Sequence, residues 1–145
     1  MTRPIKFPAF LVAVTCTSAA CAADLVVNVT GVRNDKGFVA LCLWNGAAFF
    51  PNCIDHPAFR DIRLPARTGS LAFRLTDVPP GAYAVSVYHD EKNIRRLEKN
   101  VLGMPLQGTG ASNDAKGRLG PPSFRDASVK LGMEGGIVSL KLVYP

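Results

Sequence analysis

The chain is predicted to be all-β, an antiparallel β-sandwich of about seven strands with one long Gly/Pro-rich loop. Three observations carry this. From Asp24 onward, apolar residues recur every second position rather than every three or four. Clusters of Gly, Pro, Asn and Asp separate these short runs. No stretch after residue 23 has an amphipathic helical pattern, so layered strands are the architecture that buries the apolar residues. A small closed barrel leaves the same pattern and stays open as an alternative.

The first 23 residues differ in kind. Arg3 and Lys6 precede a charge-free apolar stretch, Phe7 to Ala20, and small residues follow at Ala20-Cys21-Ala22-Ala23. This is the layout of a secretory signal peptide, and it predicts residues 24–145 as a single mature domain, periplasmic or secreted. A lipoprotein modified at Cys21 is the lesser alternative. The stretch is short of the ~20 apolar residues of a transmembrane helix, and no later segment approaches that length. No integral membrane segment is expected after cleavage.

Leu25, Val27 and Val29 alternate with Val26, Asn28 and Thr30, the pattern of a strand with one buried face. Asn34 to Gly37 reads as a turn. Phe38 to Trp44 is apolar on both faces, which predicts a central strand, paired with the first as a hairpin. Asn45 to Pro65 reads as irregular, with room for a short strand or helical turn. Leu71, Phe73 and Leu75 give the next strand, and Tyr83, Val85 and Val87 its expected partner. Between them, Pro80 and Gly81 suit a type II turn with Gly81 at the positive dihedral. Ala127 to Leu131 and Val138 to Leu142 supply the last two strands around Gly135-Gly136.

Leu102 to Phe124 contains five glycines and three prolines in 23 residues, which forbids a regular helix or central strand. Loops of this length in compact domains tend to be functional or disordered, and this one is expected to be ordered and exposed. Either Leu102, Met104, Leu119 and Phe124 pin it as a cover over the sandwich end, or it forms a binding surface.

Cys42 and Cys53 are the two cysteines of the mature chain and form a candidate disulfide for an exported protein. Loss of Arg3 and Lys6 with the signal lowers the formal charge from +6 to +4. That excess is mild and lacks a basic run or aromatic platform, so nucleic-acid binding is not expected.

The run Asp77-Val78-Pro79-Pro80-Gly81-Ala82-Tyr83 resembles the hairpin of transthyretin-like and carboxypeptidase-regulatory-like sandwiches. Further matches are Gly31 to Gly37, His89-Asp90-Glu91, Leu102-Gly103-Met104-Pro105, Ser112-Asn113-Asp114-Ala115 and Gly120-Pro121-Pro122-Ser123-Phe124. With these the chain is similar to the bacterial family called domain of unknown function 2141. The resemblance implies a small exported β protein and no established activity. It also implies a calcium-like loop after His-Asp-Glu, and here the chain departs from the pattern. Lys92 and Ile94 stand where oxygen ligands would be needed, so ion pairs involving Lys92, Arg95 and Arg96 are expected in place of a metal.

His89 with Asp90 or Glu91 is the one arrangement suited to acid-base work. We expect instead a structural histidine whose ring bonds the long loop. A zinc site from Cys42, Cys53, His56 and His89 lacks close-paired ligand spacing. Ser112 and Ser123 lie in no nucleophile motif, and the C-terminus Lys141 to Pro145 differs from that of the ureide hydrolase on the transthyretin-like fold. Phe49, Phe50 and Trp44 could form an aromatic patch, with core packing expected for Trp44. The sequence therefore reads as an exported non-enzymatic β-sandwich, without cofactor or metal, that binds an envelope ligand or protein partner. Its candidate surface is His89, Asp90, Asn113, Arg118 and Phe124. Alternatives are a hydrolase using His89 in the same place and a purely structural envelope protein.

Overall fold

The computed structural model describes residues 22–145; the signal-peptide and Cys21 expectations lie outside the described residues. Among the described residues, eight strands form two sheets. β1 (Ala23–Val32) lies between β4 (Gly69–Val78) and β8 (Gly136–Lys141). In the second sheet β2 (Phe38–Trp44) and β5 (Gly81–Asp90) are central, β3 (Arg60–Pro65) lies outside β2, and β6 (Thr109–Ala111) lies outside β5. β7 (Val129–Leu131) pairs with the start of β5, and one short helix, α1 (Phe124–Ala127), precedes it.

The alternating residues meet between the sheets. Leu25, Val27 and Val29 of β1, Phe73 and Leu75 of β4, and Val138 and Leu140 of β8 face Val39, Leu41 and Leu43 of β2 and Val85 and Val87 of β5. Each buried side chain of this size stabilises by about 1.5–3 kcal/mol. The second sheet also buries its outer face, where Cys42, Trp44, Ala84, Ala111 and Ala127 are covered by Phe50, Cys53, Ala58 and Phe124. That second cluster explains why the Phe38 to Trp44 run is apolar on both faces.

Both expected hairpins are absent. β1 and β2 lie in different sheets, as do β4 and β5, so the turns at 33–37 and Pro79-Pro80 carry the chain across the core. Alternation shows which face of a strand is buried, and it is the same for partners within a sheet and across a sandwich. The sheets are also not wholly antiparallel, since β1 pairs with β8 in parallel from Leu25 opposite Gly136 to Thr30 opposite Lys141. The positive dihedral before β5 falls on Asp77, at 55°, and Gly81 is not among the residues with positive φ. The irregular segment does hold a strand, β3, where Ile62 and Leu64 lean on the core between the charged Arg60, Asp61 and Arg63.

Candidate functional site

β5 delivers His89-Asp90-Glu91 to one end of the sandwich, and each of the three meets a different part of the chain. His89 and Asp90 are 0% exposed. The His89 ring points inward. Its Nε2 is 2.7 Å from the Lys36 carbonyl, and a carbonyl can only accept, so Nε2 carries a proton. Its Nδ1 is 2.7 Å from Tyr144 Oη. In the neutral tautomer Tyr144 donates to Nδ1 and accepts from the Arg33 amide at 3.2 Å. Burial pushes the Tyr144 hydroxyl upward, against the Arg33 amide bond that works to lower it.

The Asp90 carboxylate points to the outer face and accepts three hydrogen bonds. These come from the Ile94 amide at 3.0 Å, the Arg95 amide at 2.8 Å and Arg63 Nη2 at 3.0 Å. Burial alone would raise its pKa, but the Arg95 amide, Arg63 and the Ile94 amide outweigh it and hold the carboxyl below its ordinary value. Arg63 is itself placed by Asn93 Oδ1 at 3.0 Å, by the Tyr88 hydroxyl at 3.3 Å and over the Phe38 ring at 5.1 Å. Glu91 is likewise held low, because the Arg33 bond at 2.6 Å and Asn34 overcome the upward push of burial. Gly37 allows this closure: its φ is +64°, and a Cβ there would collide with the Asp90 carbonyl.

Glu91 Oε1 lies 3.9 Å from His89 Nδ1, so histidine, tyrosine and carboxylate form a short polar chain. It resembles an acid-base relay in composition only. Both ring nitrogens are occupied, the ring has no exposed surface, and among the described residues no buried side-chain nitrogen or oxygen lacks a hydrogen-bond partner. The arrangement works as a clasp that ties the end of β5 to the 33–37 turn and to the C-terminus. The ring therefore bonds Lys36 and Tyr144 rather than the long loop.

Ion pairs do occupy the stretch after His-Asp-Glu: Lys92 pairs as expected, whereas Arg95 and Arg96 give way to Arg33 and Arg63. Asp90 takes Arg63 from β3, Glu91 takes Arg33, and Glu98 takes Lys92 at 2.9 Å. Arg95 contributes its backbone amide to Asp90, and Arg96 its carbonyl to Gln107.

The five candidate surface residues are not brought together. Ala111 pairs with Ser86, three residues before His89, which puts the following segment about 10 Å down the strand from the clasp. Asn113 is exposed there, and its amide donates to the carbonyls of Asp126 and Ser128, securing α1. Asn113 also lines a shallow cleft of about 170 Å³ with Tyr83, Lys130 and Ser139. Ser112 Oγ accepts from the Val85 amide at 2.9 Å and donates to the Ala127 carbonyl at 2.5 Å. Phe124 packs edge-on against Phe50, which meets Trp44 in the same way. Arg118 is exposed.

One further expectation is corrected, and two, the Cys42–Cys53 disulfide and the core packing of Trp44, are borne out. Leu102, Met104 and Leu119 do not pin the loop, because all three are exposed; of the four apolar residues named, Phe124 alone packs. Cys42 and Cys53 are bonded, with Cα atoms 6.3 Å apart, and His56 stacks on the exposed Phe49 at 3.8 Å. Trp44 is buried, donating to Ser86 Oγ at 2.9 Å, so the three aromatics form no single patch.

Sequence reading missed Tyr144, Arg63 and Arg33, whose roles depend on contacts across 27 to 111 positions. It also missed a hairpin at 98–106, where Lys99 bridges Pro105 and Asn100 Oδ1 accepts from the Leu102 and Met104 amides. Asn100 and Gly103, both turn formers, were the available signal.

Residues 27–138 match the model of a family described as an uncharacterized protein conserved in bacteria (DUF2141), and the chain belongs to that family. No curated protein and no solved structure matches it.

Proposed function

We propose that this is an exported, non-catalytic binding module of the bacterial cell envelope, whose contact surface is the excursion of residues 91–108. Residues 1–23 act as a cleaved signal peptide and 24–145 as one domain. The bonded Cys42 and Cys53 support an oxidising compartment. The single observation that carries the binding reading is in the excursion: its backbone is tied by internal hydrogen bonds, yet Val101, Leu102, Met104 and Leu106 stand in solvent. A segment that served only to connect β5 to β6 would have no reason to hold apolar side chains outward, since exposed apolar clusters mark contact sites.

His89 and Asp90 serve this surface as positioning residues, Asp90 by capping the turn from which the excursion leaves. Asn113, Arg118 and Phe124 belong to the separate 111–128 segment and are not required for the contact. The sealed environment of His89 supports a role without catalysis.

The test expresses the full chain in a bacterial host. The expected result is a mature N-terminus at Ala23 or Asp24 and recovery with the envelope fraction, lost when Val101 to Met104 are replaced by Gly and Ser. An intact N-terminus in the cytoplasm, or unchanged envelope recovery after the replacement, would overturn the reading.

A further inference from the structure

Resting on that reading, we propose that the 98–106 hairpin is a finger that docks on an anionic lipid bilayer, with its apolar tip in the acyl boundary and a basic collar on the headgroups. Shape is the first support. The Lys99 bridge to Pro105, the Asn100 amide bond to the Met104 carbonyl at 2.9 Å and the Leu106 bond to Glu98 at 2.8 Å close an antiparallel loop. Gly103, at φ +78°, turns its tip. Glu98 is anchored in turn by Gln107, whose side chain also binds the Arg96 carbonyl.

The tip is apolar and uncovered. Val101 is 102% and Leu102 82% exposed, and Met104 and Leu106 follow at 55% and 46%. A preformed protrusion of this kind enters a soft apolar phase without needing a complementary groove, and its ordering cost is already met in the free protein. Charge decides the phase. Lys92, Arg95, Arg96 and Lys99 lie in the same excursion, against Glu91 and Glu98 as its carboxylates. Glu91 is neutralised by Arg33 and Glu98 by Lys92, and Arg95, Arg96 and Lys99 are exposed. An apolar tip beside unneutralised cations is complementary to a surface that is anionic outside and hydrocarbon beneath. A few apolar side chains or a few cations bind a membrane weakly alone, and the two together bind it usefully.

The test is co-sedimentation of the purified protein with vesicles of phosphatidylglycerol mixed equally with phosphatidylcholine, compared with pure phosphatidylcholine, at low and high salt. Binding is expected to the anionic vesicles only, weakened by salt. Leu102→Asp should weaken it at least roughly tenfold, and each of Arg95→Ser, Arg96→Ser and Lys99→Ser roughly fivefold. Because these side chains are exposed, an unchanged melting temperature verifies that each variant is folded. In a Leu102→Trp variant, emission should shift to the blue on anionic vesicles, which places the tip in the acyl boundary.

No sedimentation with anionic vesicles, or binding that survives Leu102→Asp, overturns the proposal. If the envelope association of the preceding section depends on the tip while vesicles are not bound, the occupant is a protein and the lipid inference alone fails. A concentration-dependent dimer abolished by Leu102→Asp would identify a second copy as the occupant and overturn it as well.

Discussion

Replacing Asp90 by Asn tests the clasp directly. The side chain keeps its shape and loses its charge and one acceptor. With the amide oxygen placed where Oδ2 lies, it still accepts from the Arg95 amide and Arg63, but as a neutral group. A hydrogen bond to a charged group contributes about 1 kcal/mol more than a neutral one, so two such bonds lose about 2 kcal/mol. The amide nitrogen then faces the Ile94 amide donor to donor, which costs about another 1 kcal/mol. The expected loss is about 3 kcal/mol, or roughly 10–15 °C in melting temperature for a domain of this size. Trp44, the only tryptophan and buried, reports unfolding by fluorescence in urea.

The pH dependence supplies an independent check. The folded pKa of Asp90 is depressed, so its stabilisation is complete above the unfolded value of about 3.9 and is lost as pH falls through the folded pKa. The gap between wild type and Asp90→Asn should therefore be full at neutral pH and narrow below about pH 4. Glu91 is depressed as well, but it is present in both proteins and cancels in the difference. A cycle with Arg63→Met should show coupling of about 1–2 kcal/mol. A gap under about 0.5 kcal/mol at neutral pH, or one that persists unchanged into acid, would refute the assignment of Asp90 as the charged cap of this end.

Tyr144→Phe removes the hydroxyl that serves His89 Nδ1 and the Arg33 amide, and leaves a fully buried nitrogen unpaired; a loss of about 1–3 kcal/mol is expected in thermal unfolding. Gly37→Ala should cost about 2–4 kcal/mol by the same measurement, since the new Cβ meets the Asp90 carbonyl at a positive φ; a stable variant would show that the turn can shift. Reduction of Cys42–Cys53 should lower stability by about 3 kcal/mol and change Trp44 emission, because the bridge and the indole share one cluster. Asn113→Ala, which loses the bonds to the Asp126 and Ser128 carbonyls, should lower the melting temperature while leaving envelope recovery unchanged, separating this segment from the contact surface.

Residues such as Leu25, Val27, Val29, Phe73, Leu75, Val85 and Val87 were legible as core because burial of one strand face imposes a period of two on the local sequence. Phe38 to Trp44 was legible as central for a related reason, as a run apolar on both faces needs cover on both. The clasp was half legible. His89, Asp90 and Glu91 could be seen as a polar knot at a strand end, but their partners Tyr144, Arg63 and Arg33 carry no local mark.

By itself, then, the sequence determined an all-β sandwich, the faces its strands bury, a candidate pairing of Cys42 with Cys53 and a long Gly/Pro-rich segment from Leu102 to Phe124. These follow from properties of neighbouring residues: alternation, turn chemistry and composition. The tertiary structure decided that successive strands cross between sheets, that β8 returns parallel to β1, and that His89 is sealed while Val101 and Leu102 stand in solvent. Those outcomes depend on which distant segments meet. The same alternation serves a partner beside a strand and one across the core, and the same histidine serves a site or a clasp according to what closes over it.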